Sequence, residues 1–106
     1  MHPEEPTAEA MTLAAVMAAL SDPVRVEIVR VLAAEAERTC GTFDLGISKA
    51  TRSHHFKVLR EAGLTHTRSE GTHRHLSLRR DDVDARFPGL LAAVLAAAER
   101  EAAVPA

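Results

Sequence analysis

The chain has 106 residues, 46% of them hydrophobic, with one cysteine, no tryptophan or tyrosine and a formal net charge of −2. That length suits one domain, no apolar run approaches the roughly 18 residues of a membrane span, and a lone Cys40 excludes an internal disulfide. The acidic, polar N-terminus is unlike a signal peptide, so the expected setting is cytoplasmic.

Residues 1–7 read as a flexible tail ahead of a domain over 8–103. The first predicted helix covers residues 8–20. Its apolar positions Met11, Leu13, Ala14, Val16, Met17 and Leu20 occupy more of the circumference than one core-facing stripe requires, which points to a second, partner-facing surface. A domain this small also gains from burial between subunits. Ser21-Asp22-Pro23 then stops one helix and starts another, with Asp22 as cap and Pro23 in the first turn. Val24, Ile28, Val31 and Leu32 give that second helix a core face. Residues 38–47 (RTCGTFDLGI) leave room for about one helical turn.

Ser48 caps a third helix over residues 49–62, which Gly63 ends in a left-handed conformation with Leu64 as hydrophobic latch. Residues 64–78 (LTHTRSEGTHRHLSL) read as a β-hairpin with a glycine-bearing turn at Glu70-Gly71. A short turn starts at Asp81 or Asp82. After Phe87-Pro88-Gly89 a last helix runs over 90–102, with Leu90, Leu91, Val94, Leu95 and Ala98 apolar.

Charge is segregated along the chain. Residues 47–80 hold eight Lys or Arg against two acids and five of the six histidines, whereas the remainder holds five basic and thirteen acidic residues. A basic block in an acidic protein is an electrostatic footprint for a polyanion. At 100° per residue, Arg52, His55, Phe56 and Leu59 share one side of the third helix. Ala50, Ser53, His54, Lys57 and Glu61 share the other, with Lys49 and Arg60 at the margin. Small and cationic groups on one face let a helix enter a major groove about 12 Å wide and reach base edges or phosphates. Its N-terminal N–H groups suit a phosphate. The basic hairpin would lie along the duplex, with Arg68, Thr72, His73 and Arg74 near the backbone or minor groove.

The order helix, helix, short helix, basic helix, hairpin, helix resembles the ArsR/SmtB family of winged helix-turn-helix repressors. ALSDPVR at residues 19–25 is similar to the family's "ALSDPTR". SKATRSHHFKVLREAGL at residues 48–64 is similar to its "S-x-x-T-x-SHHLKVLREAGL". The likeness covers residues 13 to about 95. It implies a mainly α fold with a small β-hairpin wing, residues 49–62 as recognition helix and a homodimer on an inverted-repeat operator. The implied DNA-binding set is Ser48, Lys49, Thr51, Arg52, Ser53, His54, Lys57, Arg68, Thr72, His73 and Arg74, with His55 as a packing residue. Dimerisation through the first and last helices implicates Leu13, Val16, Met17, Leu20, Leu90, Leu91, Val94 and Leu95. Two departures stand out. The stretch from Cys40 to Ser48 is short, so the first helix of the helix-turn-helix should be stunted. Arg52 replaces an apolar residue, either snorkelling past Phe56 to phosphate or standing as a surface charge.

Family members release DNA on binding a metal or after thiol chemistry. The thiolate-type site resembles "ELCVCDL", against which Arg38-Thr39-Cys40-Gly41 offers one thiol; a thiol switch also lacks a resolving cysteine. Cys40 therefore reads as a small packed residue. The zinc-type site opens on D-x-H, where this chain has Asp82-Val83-Asp84, and the last helix has no histidine. No metal or other cofactor is expected; an organic effector, a partner sensor protein or expression level would supply control. The alternatives are a nickel or zinc sensor using His73 and His75, joined by His2 if the tail folds back, or a winged-helix protein-interaction module. A hydrolase built on His54, His55, His73 and His75 with Asp81, Asp82 and Asp84 needs a concave pocket and a fixed ligand shell, so no enzyme is expected.

Overall fold

The computed structural model describes residues 5–103. Among them, five α-helices pack with a three-stranded antiparallel sheet of order β1-β3-β2. No helix among the described residues is long and apolar enough to cross a membrane.

Two threonines divide the segment expected as one helix over 8–20. Thr7 accepts from the Ala10 N–H at 3.3 Å and closes a single 3-10 turn, Ala8–Ala10. Thr12 accepts from the Ala15 N–H at 3.2 Å and starts α1, Leu13–Ala19. Between them Met11 is extended, and its side chain packs in the core at 1% exposure. The threonine oxygens offer the backbone two separate starts in place of one continuous ladder. The tail reading also needs correction at its end. Glu5 accepts from His66 Nδ1 at 2.7 Å and from the Thr67 N–H at 3.3 Å, while Arg79 donates to the Pro6 carbonyl at 2.6 Å. His2 lies outside the described residues.

Helix α2, Pro23–Ala34, begins as the sequence predicts: Asp22 accepts from the N–H groups of Val24 at 2.8 Å and Arg25 at 3.3 Å. Ile28, Val29 and Leu32 are its buried face. A two-residue strand β1, Arg38–Thr39, follows, which no local pattern in the sequence marks; it exists only by pairing with β3. Cys40–Thr42 is one 3-10 turn, standing where the resemblance places the stunted helix.

Helix α3, Lys49–Ala62, has Ser48 as cap, its hydroxyl accepting from the Thr51 N–H at 3.1 Å. Gly63 ends it at φ 94°, with the Leu64 N–H bonded to Leu59 O and the Gly63 N–H to Arg60 O, both at 3.0 Å. This paired pattern satisfies two carbonyls that the helix end would otherwise orphan. Strands β2, Thr65–Glu70, and β3, His73–Leu78, form the wing around a two-residue Gly71-Thr72 turn with positive φ at the glycine. Helices α4, Arg80–Arg86, and α5, Leu90–Ala103, complete the chain.

One core runs through these elements: Met11, Val16, Ile28, Leu32, Phe56, Leu59, Leu64, Leu76, Val83 and Leu91 all belong to it. That overturns two of the residues assigned to a subunit interface. Val16 and Leu91 are 0% exposed within a single chain, so they hold α1 and α5 onto their own protomer. Leu13 at 49% and Met17 at 55% stay exposed, and Leu20, Leu90, Val94 and Leu95 are half-buried.

Candidate nucleic-acid interface

The two faces of α3 separate as its periodicity predicts. His55, Phe56 and Leu59 are buried, whereas Lys49, Ala50, Thr51, Ser53, His54, Lys57 and Glu61 are exposed. Phe56 meets Phe43 edge-on with ring centroids 5.2 Å apart, and Arg38 stands 5.2 Å from the Phe43 ring centroid. This cluster replaces the missing helix as the support beneath α3.

His55 explains why the two motifs of the sequence belong together. Arg25, from the first motif, donates to the carbonyls of Ala19 at 2.6 Å and Ala18 at 3.3 Å at the end of α1. Its Nη1 also lies 3.1 Å from His55 Nδ1, in the second motif. A guanidinium only donates, so His55 Nδ1 accepts and the imidazole carries its proton on Nε2. Arg25 therefore ties α3 to α1. Sequence reasoning missed this role, although the arginine stands in a motif that the resemblance rests on.

At the start of α3, Ser48 donates to the Thr51 hydroxyl at 2.9 Å, leaving the Thr51 proton and the first helical N–H groups for an anion. Across the cleft, strand alternation sorts the wing. Thr67 pairs with Leu76 and Ser69 with Arg74, so Arg74 shares the inward face with Leu76 and looks toward α3. Arg68 pairs with His75 on the opposite face. There Glu37 accepts from Arg68 Nε at 3.0 Å and Nη2 at 2.7 Å, and Glu70 lies 3.6 Å from Nη1. The Arg68 hydrogen bonds hold the Glu37 carboxyl below its ordinary pKa.

Two expected DNA contacts are thereby placed differently. Arg68 faces away from α3 in a bidentate ion pair. Arg52 is half-buried and donates from Nη1 to the Phe43 carbonyl at 3.1 Å, tying the 3-10 segment to α3; this strut is neither the snorkelling cation nor the surface charge that the sequence suggests. Ser48, Lys49, Thr51, Ser53, His54 and Lys57 line up along α3, with Thr72, His73 and Arg74 at the wing tip, all exposed. Arg60, at the margin of the helical wheel, joins Lys49, Arg52, Lys57 and Arg74 around the cleft between helix and wing. No carboxylate lines that cleft among the described residues. Cys40 forms part of its wall and is half-buried; burial pushes its thiol pKa up against the opposing charges of Arg74, Arg52 and Arg60.

Three of the residues weighed as metal ligands, His75, Asp82 and Asp84, are otherwise engaged. His75 Nδ1 lies 3.0 Å from the Thr39 hydroxyl, Asp82 pairs with Arg79 at 3.0 Å and Asp84 with Arg80 at 3.6 Å. Among the described residues no group of three or more His, Cys, Asp or Glu side chains is placed to hold a metal ion.

Residues 20–68, from the end of α1 into β2, match the model of a helix-turn-helix domain family. The chain is 43% identical over 81 residues to the uncharacterized HTH-type transcriptional regulator YceK of Bacillus subtilis (strain 168), covering 74% of this chain and 81% of that protein. The chain belongs to the HTH-type transcriptional regulators. Its fold is also similar to the crystal structure of M. tuberculosis Rv0081, with a TM-score of 0.62, 26% identity and coverage of 86% of this regulator and 92% of that chain. The regulator is thus a DNA-binding winged helix-turn-helix protein, and the α3–wing side is the part of it whose shape and charge suit a duplex.

Proposed function

We propose that this regulator is of the ArsR/SmtB type and binds an inverted-repeat operator as a homodimer, with α3 in the major groove and the wing on the backbone. One observation carries the reading: Ser53, His54 and Lys57 stand exposed on α3 beside a wing whose Arg74 faces the same carboxylate-free cleft. Ser53 and His54 would read base edges, while Lys49, Lys57 and Arg74 would contact phosphates. Thr51, Thr72 and His73 add donors at the two ends of this surface. Arg52 and Arg68 leave the contact set, because each guanidinium already serves a partner within the chain.

The dimer surface would be the exposed side of α1 together with α5. Among the described residues Leu13 and Met17 are the exposed large hydrophobics, and a shallow groove between the α1–α2 corner and α5 is lined in part by Leu20, Val26, Val94 and Ala98. Burial of that apolar strip supplies the driving force. Control would fall to an organic effector or a partner protein.

A titration of the regulator on DNA from its own upstream region tests this, with sedimentation of the free protein alongside. The expected result is protection of two half-sites about one helical turn apart by a dimer that Met17→Glu dissociates. A monomer footprinting one half-site would overturn the dimeric reading.

A further inference from the structure

The cleft between α3 and the wing has a volume of about 550 Å³, within the range of small-molecule sites. Lys49, Lys57 and Arg74 form its outer lining; these are exposed and within reach of a duplex. Its inner lining is of another kind. Phe56 and Leu76 are apolar and almost fully buried, and the wall includes the Cys40 thiol. Thr67, only 4% exposed, lines the cleft with its hydroxyl unpartnered. Arg52 Nε is a second buried donor there without a partner.

Buried polar groups are normally satisfied, because leaving one dry forfeits its hydrogen bonds to water. Two such groups in one cleft, beside apolar surface and with no carboxylate among the lining residues, describe a complement for a particular chemistry. A phosphodiester held in a duplex meets the exposed Lys49, Lys57 and Arg74, whereas Thr67 is almost fully buried. A small anion with an apolar body suits that inner lining.

Resting on the reading that this side meets DNA, we infer that the cleft is an effector site for a small organic carboxylate. The carboxylate accepts from Arg52 Nε and from the Thr67 hydroxyl, and its apolar body lies against Phe56 and Leu76. The bound anion sets its negative charge in the cleft that Lys49, Lys57 and Arg74 also line, where it competes with DNA phosphates for their field, so occupancy opposes operator binding. By linkage, operator DNA weakens anion binding to the same extent.

The experiment titrates 2-naphthoate, with neutral 2-naphthamide as control, into the DNA-free regulator and then into its operator complex. Calorimetry and backbone amide shifts report binding. The expected result is saturable binding of the carboxylate with shifts centred on Arg52, Thr67 and Leu76, weaker binding of the amide, and displacement of DNA. Thr67→Val should weaken the carboxylate about tenfold while leaving operator affinity unchanged, and Thr67→Ser should restore it. The inference is overturned by absent binding, by equal binding of the amide, by indifference to Thr67→Val, or by occupancy that leaves DNA bound. Naphthoate binding by a regulator that ignores operator DNA would instead support the site and refute the DNA surface.

Discussion

Arg68 and Arg74 sit on the same hairpin with the same charge but on opposite faces of it, and salt dependence should separate them. Arg74 faces α3, whereas Arg68 faces away with its Nε and Nη2 both donating to Glu37. Each phosphate left without its protein cation makes the slope of log K against log salt shallower by about 0.9, so a dimer with Arg74→Ala in both wings should lose about 1.8. Between about 50 and about 200 mM salt, the affinity ratio of wild type to variant should then shrink about twelvefold. Arg68→Ala removes a charge already countered by Glu37 and should move the slope by less than about 0.3. Fluorescence anisotropy on one operator duplex at five or so salt concentrations reads both slopes. Equal slope changes for the two variants would show that strand alternation does not decide which arginine meets DNA.

Three further outcomes follow from the fold. Gly63→Ala should destabilise by at least about 2 kcal/mol in urea unfolding, because φ is 94° and the new Cβ would stand 2.8 Å from Met11 Cγ and Cε; a loss under about 0.5 kcal/mol would contradict that. Arg25→Met removes the guanidinium that joins the Ala18 and Ala19 carbonyls to His55 and should cost about 3 kcal/mol, measured the same way; unchanged stability would mean that α1 and α3 are held by packing alone. Acid should weaken the fold through Glu37, whose folded pKa is depressed chiefly by the Arg68 hydrogen bonds. That contribution is present above about pH 4.3, where an unfolded glutamate ionises, and is lost as pH falls through the lower folded value. Glu37→Gln should flatten this part of the acid limb, and an unaltered limb would assign it elsewhere.

Of the interface, the sequence shows the half that depends on neighbours in the chain. Ser53, His54 and Lys57 point outward because the helical repeat puts them opposite Phe56 and Leu59, and that repeat needs no partner to be read. Arg52 and Arg68 could not be placed the same way. Their partners, Phe43 and Glu37, are brought to them by the fold, and composition alone counts every arginine in the block as available. Thr67 was equally hidden, since its importance comes from burial beneath α3 and not from any motif.

The limits of the elements were written locally. Asp22, Ser48 and Gly63 each start or stop a helix through hydrogen bonds spanning no more than five residues, so the sequence by itself determined α2, α3 and the latch at Leu64. Tertiary structure alone decided which apolar residues of α1 and α5 face inward. Val16 and Leu91 vanish into the core while Leu13 and Met17 do not, although all four are apolar members of amphipathic runs. It also created β1, two residues that become a strand only because β3 lies alongside. A cap is a contact within one turn, but burial and pairing belong to surfaces that exist only once distant segments have met.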